Sequence, residues 1–175
     1  MKILIAAVAA YLIGCVPLAQ LIERRFSQQP WVNFAATAAG FFKGFVVVAL
    51  FHPTSSIAQA LIVTALVSGD QWPIHNRESG RLGLAVAGGA LTVLTPISPV
   101  VWGVLWGIGF VLTGYRLVGR LIALVLFWLV LGLVAGWPLG LIALPASFMI
   151  LAKSRDEIAR LRAGLEPKHH WRAEA

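Results

Sequence analysis

Charge is scarce in this chain. Of its 175 residues only 12% are Asp, Glu, Lys or Arg, while 59% are hydrophobic. A soluble domain carries roughly 25–35% charged residues on its surface, so a water-facing exterior is excluded over most of the length. Cysteine is nearly absent: the single Cys15 rules out an internal disulfide and a cysteine-based metal cluster. The four histidines, His52, His75, His169 and His170, have no ligand-like spacing, so neither a metal nor another cofactor is expected. Acidic residues number seven against fourteen basic ones, a formal charge of +7. That excess is spread over connections and the tail without aromatic interleaving, which fits membrane topology and not a nucleic-acid partner.

Long apolar tracts follow one another. About 20 apolar residues in a helix cross roughly 30 Å of hydrocarbon. Residues 121–133 are apolar on every side, which fits a helix and not a barrel strand of alternating polarity. Spans are predicted at 3–22, 34–51 and 56–68. The tract 82–115 is too long for one crossing, and Pro96 and Pro99 divide it into spans at 82–94 and 100–112. Two more follow, one at 121–135 and, after a turn at Gly136-Trp137-Pro138, one that ends near Leu151. The first tract has no clear signal-peptidase site and is read as a retained helix. The expected fold is an all-α polytopic membrane protein with about seven transmembrane helices, some short or kinked. Residues 1–152 form the transmembrane domain and 153–175 a cytoplasmic amphipathic tail.

Lys and Arg set the orientation. Stretches 20–33, 69–81, 115–120 and 153–175 hold two, two, two and six of them, and the opposite connections hold none apart from Lys2. Seven crossings with the N-terminus outside and the C-terminus in the cytoplasm satisfy that asymmetry.

The connection 69–83 is the best candidate site. Gly80 and Gly83 permit close approach of backbone N–H groups to an oxyanion, and the start of the next helix adds unpaired N–H groups. Arg77 and Arg81 supply charge-assisted donors, with Ser79 beside them. The plainer reading is a polar connection whose arginines sit at lipid headgroups. Lys43 stands in the middle of a span, where a charge costs about 2.5–3.5 kcal/mol, so it faces an interior partner or else snorkels to the interface. Gly40 and Gly44 beside it would allow close helix approach. Ser79 near His75 lacks a convincing carboxylate to complete a nucleophile–base relay. In the tail, Ile158, Leu161 and Leu165 repeat at helical spacing, as in a short helix on the membrane or docked under the bundle.

Four motifs carry a family resemblance: Tyr11-Leu12-Ile13-Gly14-Cys15-Val16-Pro17, Lys43-Gly44, Gly69-Asp70-Gln71-Trp72-Pro73 with Ser79-Gly80-Arg81-Leu82-Gly83, and the tail from Arg155 to Glu166. In order and internal spacing the chain resembles the bacterial membrane acyl-phosphate:glycerol-3-phosphate acyltransferases over most of its length. The resemblance implies seven spans, a bacterial plasma (inner) membrane location, and acyl transfer from acyl phosphate to glycerol 3-phosphate to give lysophosphatidic acid, an early step of phospholipid synthesis. Implied partners are membrane lipids, glycerol 3-phosphate and acyl phosphate.

The departures fall on positions that the resemblance makes functional. The family's serine-bearing first motif has no counterpart. Its loop histidine is Asp70 here, its loop lysine is Leu82, and its tail histidine and asparagine are Ser154 and Glu157. No catalytic residue is assigned. The expected function is therefore that of a divergent, non-catalytic member that binds phosphate or lipid headgroups. An active enzyme of the family's reaction and a small-solute transporter are the alternatives.

Overall fold

A computed structural model describes residues 2–26, 29–51, 55–74 and 83–164. These residues form nine helices and no strand. The first tract is broken: α1 (Lys2–Gly14) stops at Cys15-Val16-Pro17, and α2 (Leu18–Arg25) resumes beyond. Proline has no N–H to continue the ladder, so the break falls where Pro17 puts it. Helix α3 (Val32–Phe51) is continuous, and α4 (Ser56–Gln71) starts on Ser55, whose hydroxyl accepts the Ala58 N–H at 3.2 Å. Helix α5 (Leu84–Leu94) ends before Pro96, and α6 (Ser98–Thr113) starts with Pro99 in its first turn. Then come α7 (Arg116–Ala135), α8 (Trp137–Lys153) and the short α9 (Arg155–Arg162).

The principal helix pairs are α1 with α4, α3 with α5, α6 with α7, and α7 with α8. Each crosses on a pair of glycines: Gly14 with Gly69, Gly44 with Gly89, Gly109 with Gly119, and Gly132 with Gly140. A Cβ on Gly44 would lie 2.0 Å from the Val86 carbonyl oxygen, and one on Gly89 would lie 1.9 Å from that of Phe41. Lipid tails are as apolar as leucine, so such close backbone contact, not hydrophobic exclusion, holds helices together in a bilayer. Around a core that includes Val48, Val63, Leu66 and Leu131, the outer face exposes Phe34, Leu50, Leu112 and Phe148, each 70% or more accessible. A surface this apolar fits hydrocarbon and not water.

The expectation of about seven transmembrane helices, some short or kinked, is met only in part. Three stretches are long and apolar enough to cross a membrane: Ile3–Arg25, Val32–Phe51 and Arg116–Ala135. A fourth counts if α8 and α9, bent by 52°, are one span. Helices α5 and α6, with 11 and 16 residues, extend only about 16 and 24 Å, short of the roughly 30 Å hydrocarbon layer. The protein is thus an all-α polytopic bundle that combines long helices with short ones.

Candidate functional site

The site is built around the break after α1. Pro17 offers no N–H, and the Leu18 N–H turns to Val16 O at 3.0 Å, so the Gly14 carbonyl is left open at the negative end of α1. Lys43 fills it. From the middle of α3 its ammonium donates to Gly14 O at 2.9 Å, to Val16 O at 3.2 Å and to Asp70 Oδ1 at 2.5 Å. Lys43 is 7% exposed. All three of its N–H donors therefore have a partner, and its charge meets a carboxylate from the last turn of α4. The Gly14–Gly69 crossing is what brings that carboxylate beside the broken helix, since a Cβ on Gly69 would lie 2.2 Å from Tyr11 O.

Lys43 and Asp70 form one wall of a polar pocket of about 210 Å³. The opposite wall is the start of α5. Gly83, in the left-handed conformation at φ 72°, lets the chain turn tightly into that helix, and residues 84–86 line the pocket. First-turn N–H groups have no partner within their own helix and carry the positive end of its dipole. Arg120 of α7 also reaches the pocket. Its guanidinium donates to Glu157 of α9, while its Nε is buried without a hydrogen-bond partner among the described residues. The arrangement thus supplies amide donors and a guanidinium to an anion. The Asp70 charge that would repel such a ligand is offset by Lys43.

Behind the pocket runs an apolar cavity of about 230 Å³, walled by Phe41, Leu91, Trp102 and Phe127 among others. Leu84 and Ala85 line both spaces, so the polar and apolar volumes adjoin along the first turn of α5. At the same end of the bundle, Tyr11 donates to Trp72 O at 2.9 Å and Lys153 donates to Gln71 O. These bonds tie α1 and α8 to the end of α4.

Of the candidates read from the sequence, Lys43 and Gly83 lie together in this pocket. Arg77, Ser79, Gly80 and Arg81 lie outside the described residues. Sequence reasoning missed Asp70 as the partner of Lys43 and Arg120 as a pocket residue. One signal was available: Asp70 is the only acidic residue between Glu23 and Glu78, next to an apolar tract. Arg120 carried none, because an arginine at a span end looks like any positive-inside residue.

Residues 27–164 match the family model "Glycerol-3-phosphate acyltransferase". Glycerol-3-phosphate acyltransferase 3 of Dehalococcoides mccartyi strain CBDB1 is 26% identical, with 98% of each chain covered. Glycerol-3-phosphate acyltransferase 2 of Moorella thermoacetica is 29% identical over 94% of this chain and 96% of its own length. Two crystal structures of PlsY (YgiH), an integral membrane glycerol 3-phosphate acyltransferase, share the fold. Its lysophosphatidic acid form matches with TM-score 0.79 at 23% identity, covering 96% of this chain and 95% of that one. Its glycerol 3-phosphate form matches with TM-score 0.79 at 21% identity, covering 97% and 96%. With the family model covering well over half of its length, this chain belongs to the membrane-integral glycerol-3-phosphate acyltransferase family, as a member divergent in sequence.

Proposed function

We propose that the chain transfers an acyl group from acyl phosphate to glycerol 3-phosphate in the bacterial inner membrane. The observation that carries this reading is the junction at Leu84 and Ala85, where an anion-compatible pocket meets an apolar cavity. Acyl phosphate and lysophosphatidic acid are both amphiphiles with a phosphate at one end and a hydrocarbon chain at the other. In the reaction a glycerol hydroxyl oxygen attacks the acyl carbonyl carbon. The bond from that carbon to the phosphate oxygen breaks, and inorganic phosphate leaves with the electron pair. The hydroxyl proton passes to the departing phosphate. The α5 amides and Arg120 hold phosphate oxygens, with Arg77, Ser79, Gly80 and Arg81 as further phosphate-binding groups and Gly83 at the entry to α5. Lys43 holds Asp70 neutralised at the edge of the pocket. The one-sided distribution of Lys and Arg supports an N-terminus outside and a tail inside.

A second reading, headgroup binding without catalysis, is favoured by one feature. Both pocket cations are already engaged, Lys43 with Asp70 and Arg120 with Glu157. The deciding experiment incubates the purified protein with acyl phosphate and glycerol 3-phosphate and follows lysophosphatidic acid by mass spectrometry. Product that disappears in the Arg77→Ala/Arg81→Ala double variant supports acyl transfer. Saturable, salt-sensitive glycerol 3-phosphate binding without product would move the assignment to the second reading.

A further inference from the structure

The apolar cavity behind the polar pocket has a measurable depth, and two helices give the same value for it. On α5, Leu84 lines both spaces, and Leu91, seven positions on, is the last residue of that helix to line the cavity. On α7, Arg120 lines the polar pocket, and Phe127, again seven positions on, is the last to line the cavity. At 1.5 Å per residue each interval is about 10 Å. Half of the hydrocarbon layer, the depth that a membrane lipid tail fills, is about 15 Å. A chain whose head sits in the polar pocket therefore runs out of cavity before it reaches the length of a lipid tail.

The far end is bounded by the start of α6, the helix that returns from the end of α5. Ser98, Pro99 and Trp102 line it there, and no residue of α6 beyond Trp102 does. Trp102 is the largest of the three. Its indole meets the Phe127 ring edge-on, with centroids 5.6 Å apart and planes at 78°, and Phe127 is itself only 5% exposed. An indole held against a packed ring does not yield as a flexible side-chain tip would, so a longer chain meets fixed bulk at that depth. Half-way along the cavity the wall is Gly88. A Cβ there would come no closer than 3.8 Å to the Phe41 ring, so this glycine, unlike Gly89, is not required for helix approach. Its effect is to keep the cavity open at mid-depth.

We propose that this cavity selects acyl chains of medium length, shorter than a membrane lipid tail, with Trp102 as the residue that sets the limit. The inference rests on the acyl reading of the cavity, and its test is separable from catalysis. The full-length protein in nanodiscs is exposed to an equimolar mixture of hexyl, decyl and hexadecyl phosphate, and native mass spectrometry reads how much of each is bound. Partitioning into lipid is common to wild type and variants and cancels in their comparison. Relative to wild type, Trp102→Ala should raise the hexadecyl-to-decyl ratio about tenfold, the lower bound for a steric change of one methylene or more in an apolar pocket. Trp102→Phe should raise it less. Gly88→Leu fills the cavity at mid-depth and should lower the decyl-to-hexyl ratio by a similar factor, which keeps the test valid if alanine at 102 leaves a poorly folded bundle. Ratios unchanged in both Trp102→Ala and Gly88→Leu would overturn the proposal, because the chain would then run elsewhere. Absence of saturable binding by all three probes would overturn it together with the acyl reading of the cavity. The corresponding acyl phosphates, supplied with glycerol 3-phosphate, test catalysis separately: no product from any of them speaks against acyl transfer, while the binding ratios still decide the role of Trp102.

Discussion

Lys43 and Asp70 are each other's reason for being tolerated. Two charges removed from water are held by mutual attraction plus the carbonyls of Gly14 and Val16, and deleting one strands the other. Lys43→Met should therefore destabilise the protein by about 3–5 kcal/mol, whereas Lys43→Met with Asp70→Leu should recover part of that loss. Thermal unfolding in detergent across the double-mutant cycle measures this, and additive losses would mean that the two side chains do not act as a pair. Arg120 and Glu157 are a different case, each roughly a quarter exposed on its side chain. Glu157 competes with any anion for the guanidinium. Glu157→Gln is expected to tighten glycerol 3-phosphate binding, and Arg120→Ala to weaken it more than Arg116→Ala does, because Arg116 does not line the polar pocket. Titration at two salt concentrations checks both signs, and the Arg120 effect should shrink at high salt.

At the scale of helices, glycine position matters more than glycine number. Gly89 and Gly44 meet opposing backbone directly, whereas a Cβ on Gly103 or Gly107 would find no atom within 4 Å. Backbone cannot yield as a side-chain tip can, so Gly89→Ala should cost about 1–3 kcal/mol or more and lower the yield of folded protein in the membrane. Gly103→Ala should leave stability unchanged or slightly raised, since alanine is the better helix former. Comparable melting temperatures for the two variants would remove the argument that α3 and α5 are locked through their glycines. The same scale explains what was legible beforehand. The division at Pro96 and Pro99 could be read because proline acts locally. The α1 break at Pro17 is equally local, but the apolar run on both sides masks it. The short reach of α5 could be read as well, because its apolar tract, 82–94, is confined between the polar connection and Pro96.

For the whole molecule, orientation is a matter of charge. Twelve of the fourteen Lys and Arg lie in four stretches assigned to one side. A reporter fused at the C-terminus should be active only if it functions in the cytoplasm, and a periplasmic signal there would invert the proposed topology.

Composition and periodicity alone determined that this chain is a helical membrane bundle, because hydrocarbon excludes unpaired backbone and demands long apolar helices. They also singled out Lys43, since an isolated charge in an apolar tract is costly wherever the helix goes. Only the tertiary structure decided what Lys43 meets. Its partner is 27 positions away, and its carbonyl acceptors lie at the end of a third helix and in the break that a proline makes there. The adjoining polar pocket and apolar cavity were equally beyond the sequence. They arise from glycine crossings that set how closely α1, α3, α4 and α5 approach, and interhelical distance leaves no mark in the order of residues along one chain.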